Sequence, residues 1–328
     1  MAAVDSDFTG LLWGYAFHGG EVAFVDAEVL AASLAAPDTW VWLHFRLGDH
    51  FALRTIEGLD SLPAAARELI AEVEQRVQVQ FAGPWVYGVL PDLERDLEGR
   101  NLGPGRMQFA AGERLLITAR RHALRGASDF RHACDRGLAL PSPSAAVVHL
   151  IERYMDASEL RLRQVSTTLD DIEDRVLVEA AERDRVALAP LRRSVSRNHR
   201  EFLALRSALH RAISPREAHA VAELSRQLPR LAQEAEDLDR DSASLQERTR
   251  LLHEEIDTQI NSGINRSMRA LAIISTLLIP PTLITGAFGM NVGGVPFAGH
   301  NSGFLLAGLI CLVVVGAAWW LLKRMQVL

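Results

Sequence analysis

The sequence has few of the residues and motifs that mark disulfide-bonded, nucleic-acid-binding or catalytic proteins. Of its 328 residues only two are cysteines, Cys134 and Cys311, which are too few for a disulfide framework. A net charge of −6 and a pI near 6.0 give no basic stripe, so we expect no nucleic-acid partner. The sequence contains no glycine-rich phosphate loop, no G-x-S-x-G and no H-E-x-x-H. We therefore expect no enzymatic activity and no cofactor.

Charged residues are absent from two long apolar segments near the C-terminus, except for Arg269 at the edge of the first. The segments cover residues 269–288 and 303–322, with a loop at 289–302 between them. A helix of about 20 residues spans the ~30 Å hydrocarbon layer of a bilayer, and a charge at its centre costs about 2.5–3.5 kcal/mol. A single segment of this kind could also be a buried helix of a soluble protein. Two in tandem predict a pair of transmembrane helices, with membrane lipid as a partner.

Basic residues flank these segments but are missing from the loop between them. Arg266 and Arg269 precede the first segment, and Lys323 and Arg324 begin a short basic tail, 323–328, after the second. Since basic residues stay on the cytoplasmic side, we predict that both termini are cytoplasmic and the loop is outside. The first residues, MAAVDSDFTG, lack the pattern of a signal peptide. We predict a multi-pass protein of the plasma (inner) membrane.

The residues before the apolar segments change in pattern near residue 140. Residues 1–140 alternate short β-rich runs with helical ones, which predicts an α+β cytoplasmic domain resembling an α/β/α sandwich. A helix is predicted over 64–79, and strands over 11–17, 21–25, 40–45, 85–90, 106–109 and 115–119. Residues 141–228 predict a cytoplasmic helical region, with long helices over 144–180 and 182–212 and a helix start at 214–217. Pro229 is predicted to break or restart the helix.

From Pro229 onward the sequence has the pattern of a stalk helix. Leucines recur every seven residues, and a second stripe follows four residues after each: Leu231, Leu238, Leu245 and Leu252, then Ala235, Ser242, Thr249 and Ile256. This 3.5-residue period indicates a helix that packs along copies of itself or along a neighbour. We predict a stalk over 229–268 that continues into the first span, with about 60 residues giving a rod of roughly 90 Å.

Small and polar side chains follow one face of the first span at alternating steps of three and four residues. They are Asn265, Met268, Ala272, Ser275, Ile279, Thr282 and Gly286. Such a face is common where membrane helices pack closely. It would equally suit a pore lining, with Met268 and Ile279 as apolar constrictions. Two spans cannot enclose a pore, so the second interpretation requires several copies around an axis.

The order of these features resembles the CorA family of metal-ion transporters. The features are the long stalk, a first span with Pro280, the tripeptide Gly289-Met290-Asn291, a second span and a short basic tail. The resemblance covers the whole architecture and is closest over 229–328. Within the family the loop GMNVGGVPFAGH is similar to the ZntB (zinc transport protein) branch, because it has no Asp or Glu. Phe288, directly before the motif, is an aromatic as in the CorA branch.

The resemblance implies a homopentameric funnel in which five first spans line an axial pore and the second spans lie outside. It implies that Gly289, Met290 and Asn291 ring the outer mouth, where the Asn291 carbonyl meets a hydrated cation. It further implies transport of divalent metal ions, Zn²⁺ in the ZntB branch, with coupling to protons. His300 is the only side chain between the spans that titrates near neutral pH, and its simpler interpretation is a solvent-exposed loop residue.

Two groups of side chains in the cytoplasmic part contain metal-ligand types. On the stalk, His253, Glu254, Glu255 and Asp257 could hold Zn²⁺ where several stalks converge, or could form a solvated acidic surface. His132 and Cys134 would supply only two ligands. Two alternative functions stay open: a CorA-type Mg²⁺ or Co²⁺ channel driven by the membrane potential, and a membrane-anchored coiled-coil sensor or scaffold.

Overall fold

The computed structural model describes residues 10–48, 50–73, 76–95, 101–178, 182–213, 222–290 and 303–324. It has two compact units. The first comprises residues 1–171 and 188–250, and the second comprises 172–187 and 251–328, in each case within the described ranges. The predicted helix start at 214–217, together with Asn291 and His300, lies outside the described residues.

The first unit is built on a seven-stranded sheet. Its strands are β1 Leu11–His18, β2 Glu21–Val25, β3 Thr39–Arg46, β4 Gln78–Ala82, β5 Trp85–Arg95, β6 Asn101–Ala111 and β7 Leu115–Arg120. They lie in the order β2-β1-β3-β7-β6-β5-β4. β3 and β7 are parallel, and the other neighbouring pairs are antiparallel. Gly19 and Gly20 form the turn between β1 and β2 with φ of 57° and 86°, which glycine adopts at low cost.

Helices cover both faces of this sheet. One face of the sheet shares an apolar core with three short helices: α1 Ala27–Ala35, α2 His50–Glu57 and α3 Ala64–Ala71. The other face shares a second core with α4 Arg125–Asp135, α5 Pro143–Val178, α6 Glu182–Ala212 and α7 Ala222–Gly289. Because strand side chains alternate, Val41 and Leu43 of β3 enter the first core, while Trp40 and Trp42 enter the second. The predicted α+β domain with α/β/α layering is confirmed.

Most of the predicted strands are confirmed, but the helix predicted over 64–79 is wrong beyond residue 71. α3 ends at Ala71, and the strand β4 begins at Gln78. Val73, which falls within the predicted helix, is exposed, whereas Val77 and Val79 are buried in the core with β5 and β6. Valines two residues apart fit a strand with one buried face, and non-local packing here prevails over the helical period.

The prediction that Pro229 breaks or restarts the helix is also wrong. α7 begins at Ala222 and runs through this proline. A proline inside a helix costs about 3 kcal/mol, because it removes one backbone hydrogen bond and crowds the preceding turn. Leu224, Leu228 and Leu231 are almost fully buried on either side of it. Burying a leucine side chain contributes about 1.5–3 kcal/mol, so three of them offset the cost.

The leucine stripe of the stalk packs against other helices of the same chain. Leu231, Ala235 and Leu238 lie in one apolar core with Phe202 and Leu205 of α6. Of the two partners that the heptad pattern allowed, the structure shows the neighbouring helix. These leucines are therefore unavailable as contacts between copies.

Two helices of the second unit are long and apolar enough to cross a membrane. They are the end of α7 and the helix α8 Gly303–Arg324, and the apolar window of each has no buried residue. Partly buried residues recur along both helices: Ile273, Ser275, Leu277, Pro280, Pro281, Ile284 and Phe288 on α7, and Ala307, Cys311, Val314, Val315, Ala318 and Leu322 on α8. All of these but Ser275 and Pro281 on α7, and all but Val315 on α8, form one stripe at helical spacing on each helix. These stripes indicate that α7 and α8 lie side by side, as the predicted pair of spans requires.

Candidate functional site

The predicted pore-lining face of α7 lies opposite the stripe that faces α8. At about 100° per residue, the centres of the two sets are roughly 160–200° apart around the helix axis. Met268 and Ile279 on this face are each 64% exposed. α8 therefore leaves the polar face of α7 uncovered, and a further partner has room to occupy it.

A shallow groove of about 660 Å³ runs along the outer half of this face. It includes three of the predicted pore-lining residues, Ile279, Thr282 and Gly286, together with Met290 at the end of the described segment. A methyl group added at Gly286 would meet no atom within 4 Å, so the surface there is open. Ser275 and Ala272 continue the same face toward the cytoplasmic side.

Thr282 gives the groove a neutral oxygen with a fixed orientation. Its hydroxyl donates to the carbonyl oxygen of Leu278 at 2.8 Å, so its hydrogen is engaged by the helix itself. The lone pairs of Thr282 Oγ1 remain to accept from water or to face a cation. Thr285, on another side of the helix, makes the same type of bond to the Pro281 carbonyl at 3.0 Å. This similarity makes Thr285 a natural reference for Thr282.

The cytoplasmic end of the polar face lies beside the end of α5. Val178 shares a groove of about 810 Å³ with Gln259, Ser262, Arg266 and Met268, all on α7 within the second unit. Asn265 lies in the same turns and is exposed. The predicted constriction at Met268 therefore shares a groove with Arg266, one of the basic residues that precede the first span.

The structure brings together only two of the four predicted metal ligands on the stalk. His253 Nε2 lies 3.6 Å from Asp257 Oδ2, and Arg185 Nε lies 3.8 Å from Asp257 Oδ1. Glu254 and Glu255 project from other sides of the helix, and Glu255 accepts from Gln259 at 2.6 Å. Within the described ranges no three His, Cys, Asp or Glu side chains are placed to share a metal ion. A site that several copies would share stays a prediction.

His132 and Cys134 do not have the character of a metal pair. Cys134 is buried in the core beneath the sheet, where burial raises the pKa of its thiol to about 12. The thiolate is the form that binds metal, so this side chain is a poor ligand at neutral pH. His132 lies near the surface, 3.7 Å from Asp135. The geometry gives no support for this prediction.

The sequence analysis missed an acidic groove between α5 and α7 in the first unit. The groove, of about 390 Å³, is lined by six carboxylates and one arginine: Glu152, Asp156, Glu159, Glu234, Asp237, Asp241 and Arg230. Arg230 pairs with Glu152 and with Glu234, and arginines outside the lining pair with Asp156, Glu159 and Asp237, so the lining itself has six carboxylates to one arginine. The helical spacing of the acidic residues on α5 was a usable signal, but the partner helix was not predictable.

Gly289 ends α7 and Met290 follows it, and these are the only described residues of the tripeptide. Met290 is exposed at the rim of the Thr282 groove. Asn291 was predicted to face the ion and lies outside the described residues, so its role stays a prediction.

Comparison with known proteins gives further evidence on the family and the fold. The family model described as CorA-like Mg²⁺ transporter protein matches residues 37–324. The divalent cation transporter CmaX of Pseudomonas aeruginosa is 28% identical over 99% of both chains. The zinc transport protein ZntB of Cronobacter sakazakii is 23% identical over 95% of this chain and 94% of its own.

Solved structures show the same architecture. The structure of full-length CmaX covers 98% of this chain and 99% of its own, with a TM-score of 0.81 and 25% identity. The complete CorA magnesium transporter of Methanocaldococcus jannaschii covers 95% of this chain and 97% of its own, with a TM-score of 0.72 and 16% identity. The second likeness shows the fold alone.

Proposed function

Because the chain belongs to the family of CorA-like Mg²⁺ transporter proteins, we propose that it carries divalent cations, and Zn²⁺ in particular, across a membrane. The path is an axial pore lined by the first spans of five copies. The observation that carries this proposal is the uncovered polar face of α7, which lies opposite α8 and holds Thr282 in an open groove.

The chemistry of that face fits a cation that keeps its water shell. Neither span contains a His or a carboxylate, and Cys311 lies on the stripe of α8 that faces α7. Bare Zn²⁺ prefers His and Cys ligands, and Mg²⁺ gives up its water reluctantly. Hydroxyl, amide and backbone oxygens can accept hydrogen bonds from an aquo ion without replacing its ligands. Zn²⁺ therefore passes as the hydrated ion.

Zn²⁺ is preferred over Mg²⁺ or Co²⁺ because the outer loop, GMNVGGVPFAGH, has no acidic residue and because ZntB is among the relatives. The CorA-type Mg²⁺ or Co²⁺ channel is the second candidate, and the family description and Phe288 favour it. Proton coupling is part of the first proposal. Without a titratable group in either span, the proton has to act outside the membrane segments.

The acidic groove between α5 and α7 attracts cations to the first unit in this proposal. Its excess of carboxylates raises the local concentration of cations, and this effect falls as salt screens the field. The neighbouring pair Asp170 and Arg248, 2.5 Å apart, ties α5 to α7 beside it.

Reconstitution in liposomes tests the path with a matched pair of substitutions. Thr282→Val removes the hydroxyl oxygen from the polar face with little change in volume, and we expect Zn²⁺ flux to fall several-fold. Thr285→Val removes an equivalent hydroxyl from another side of α7, and we expect flux close to that of the unmodified protein. Equal flux through both variants, or a purified protein that contains only monomers and dimers, would contradict the pore.

Asn291 tests the outer mouth in the same assay. Asn291→Ala removes the amide from every copy, and we expect most transport to be lost. Asn291→Asp keeps an oxygen but adds up to five negative charges around one axis, which should hold cations too tightly and slow their exit. Flux of Zn²⁺, Mg²⁺ and Co²⁺ is compared with and without a pH gradient at matched protein content. Unchanged Zn²⁺ flux in correctly assembled Asn291→Ala protein would show that other residues of the chain determine selectivity.

A further inference from the structure

Three side chains from three elements of the first unit surround the buried indole of a fourth residue, Trp13. The ring of Trp13 on β1 stacks on the ring of His44 on β3, with 4.2 Å between their centroids. The guanidinium carbons of Arg131 on α4 and Arg120 on β7 lie 5.1 Å and 5.5 Å from the centroid of the same indole. Trp13 is 6% exposed and His44 is fully buried. We call these four residues the Trp13 cluster.

Each member of the Trp13 cluster has a buried nitrogen without a hydrogen-bond partner among the described residues. The atoms are Trp13 Nε1, His44 Nε2, Arg120 Nη1 and Arg131 Nε. Buried donors are nearly always paired in native proteins, so four at one place need an explanation. Elsewhere in the cluster pairing is complete: Thr118 Oγ1 accepts from Trp42 Nε1 at 2.8 Å and lies 2.7 Å from His44 Nδ1.

His44 acts as a neutral donor in this arrangement. Burial, together with the nearby charge of Arg120, lowers the pKa of His44 well below its usual value. The ring is therefore uncharged at neutral pH. With the Thr118 hydroxyl donating to Nδ1, the hydrogen of the imidazole is on Nε2, the atom that lacks a partner.

The carboxylates near the Trp13 cluster are already engaged. Asp92 accepts from the backbone N–H groups of Leu93 at 2.6 Å, Gly126 at 2.8 Å and Ala127 at 3.3 Å. Asp135 accepts from the hydroxyl of Tyr15 and comes no closer than 4.0 Å to the guanidinium of Arg131. Burial, and the like charges of Arg95 and Arg46, lower the pKa of Arg120. The charge of Asp92 acts on Arg120 against the like charges of Arg95 and Arg46, and Arg131 has Asp135 only at 4.0 Å, so positive charge prevails among the described residues of the cluster.

We propose that the Trp13 cluster binds a small oxyanion with the chemistry of inorganic phosphate. Arg120 and Arg131 balance its charge, while Trp13 Nε1 and His44 Nε2 donate to its oxygens. Water could pair the nitrogens but would not offset the positive charge of Arg120 and its arginine neighbours, which Asp92 balances only in part. The position also fits, because His44 and Arg120 lie toward the carboxyl ends of β3 and β7, the parallel pair of this sheet. Ligands of open α/β sheets bind at that edge. This site is independent of the proposed transport.

Calorimetric titration of the full-length protein in detergent tests the proposal. Phosphate is titrated at constant ionic strength with chloride as background, and sulfate and acetate in parallel separate tetrahedral oxyanions from carboxylates. We expect saturable binding of one phosphate per chain. Arg120→Met should weaken it at least tenfold, and Trp13→Phe, which keeps an aromatic stack but removes the N–H, roughly tenfold. Arg163→Met removes an exposed guanidinium from α5 and should bind like the unmodified chain.

Circular dichroism establishes that each variant is folded before titration. If Arg120→Met does not fold, Trp13→Phe decides the question, since it removes the N–H donor while keeping an aromatic ring and the charge of the cluster. The proposal is overturned if neither phosphate nor sulfate binds saturably to the unmodified protein. It is also overturned if acetate binds as well as phosphate, or if Trp13→Phe binds phosphate with unchanged affinity. In the first of these cases the buried donors are hydrated by water alone.

Discussion

Asp239 is the buried charge that ties α7 to α6, and its removal should weaken the first unit measurably. Its side chain is 9% exposed, with Oδ1 3.0 Å from His199 Nδ1 and Oδ2 2.9 Å from Arg206 Nη1. Both partners are on α6. The hydroxyl of Ser242 also donates to the Asp239 carbonyl at 2.9 Å. The carboxylate therefore pairs with both side chains, and His199 Nδ1 lies farther, at 3.4 Å, from the Ser242 hydroxyl.

Asp239→Ala should lower the stability of the first unit by about 2–3 kcal/mol. Removing one member of a buried ion pair costs about 3–5 kcal/mol, because the partner is left buried without compensation. The side chains of Arg206 and His199 are 33% and 29% exposed, so water compensates part of that loss, and the expected cost falls to about 2–3 kcal/mol. For a unit of this size 1 kcal/mol corresponds to about 2–4 °C, which gives a fall in Tm of about 5–10 °C.

The assay is thermal unfolding of detergent-purified protein at a fixed scan rate, with Asp237→Ala as the matched control. Asp237 is on the same helix two residues away, but its side chain is 55% exposed and its nearest guanidinium nitrogen, on Arg240, is at 3.4 Å. Its substitution should change stability by no more than about 0.5 kcal/mol. A fall in Tm of the same size in both variants would refute the reasoning, because helix propensity and not the ion pair would then explain it.

The remaining predictions concern pH and surface charge. Burial raises the pKa of Asp92 from 3.8 to about 6, so the stability that its proton adds is present below pH 4 and is lost as the pH rises through 6. Relative to the unmodified protein, Asp92→Asn should gain up to about 3 kcal/mol between pH 4 and pH 7 in denaturant unfolding, and the opposite slope would show that its three N–H donors prevail over burial. Replacing Glu254 and Glu255 with Lys should lower Zn²⁺ flux at low salt, and the effect should be smaller at high salt because salt screens the charges. Unchanged flux at low salt would show that the two residues only form a solvated surface. Asp257 is left intact in that test because it pairs with Arg185.

Local pattern was enough to predict the elements with strong periodicity or clear breakers. The helix over 182–212 has the bounds of α6, and the strand over 21–25 has the bounds of β2. The two apolar segments coincide with the end of α7 and with α8. In each case the residues that carry the signal lie within or next to one element: apolar residues at helical spacing, a pair of glycines at a turn, or a long run of residues without charge.

Predictions failed where the outcome depended on a partner element. β4 was missed because the helical period of Leu69, Val73 and Val77 extended the predicted helix to residue 79, and only pairing with β5 shows that a strand begins at Gln78. Pro229 was read as a break because the burial of the leucines around it was not visible in the sequence. The Trp13 cluster was not predicted, because its four residues are far apart in the sequence, at positions 13, 44, 120 and 131, and no sequence motif relates them.

The lining of the first span limits where selectivity can be located. Zn²⁺ and Mg²⁺ carry the same charge, and a face made of hydroxyl, methyl and thioether groups offers no His, Cys or carboxylate to tell them apart as bare ions. Discrimination therefore has to come from groups outside the span, either the outer loop or the acidic cytoplasmic surfaces. The flux ratio of Zn²⁺ to Mg²⁺ distinguishes these two possibilities. If the outer loop discriminates between the ions, Asn291→Ala changes their fluxes by different factors. If the acidic residues of the stalk discriminate, Asn291→Ala lowers both fluxes by the same factor, and the flux ratio changes instead when Glu254 and Glu255 are substituted.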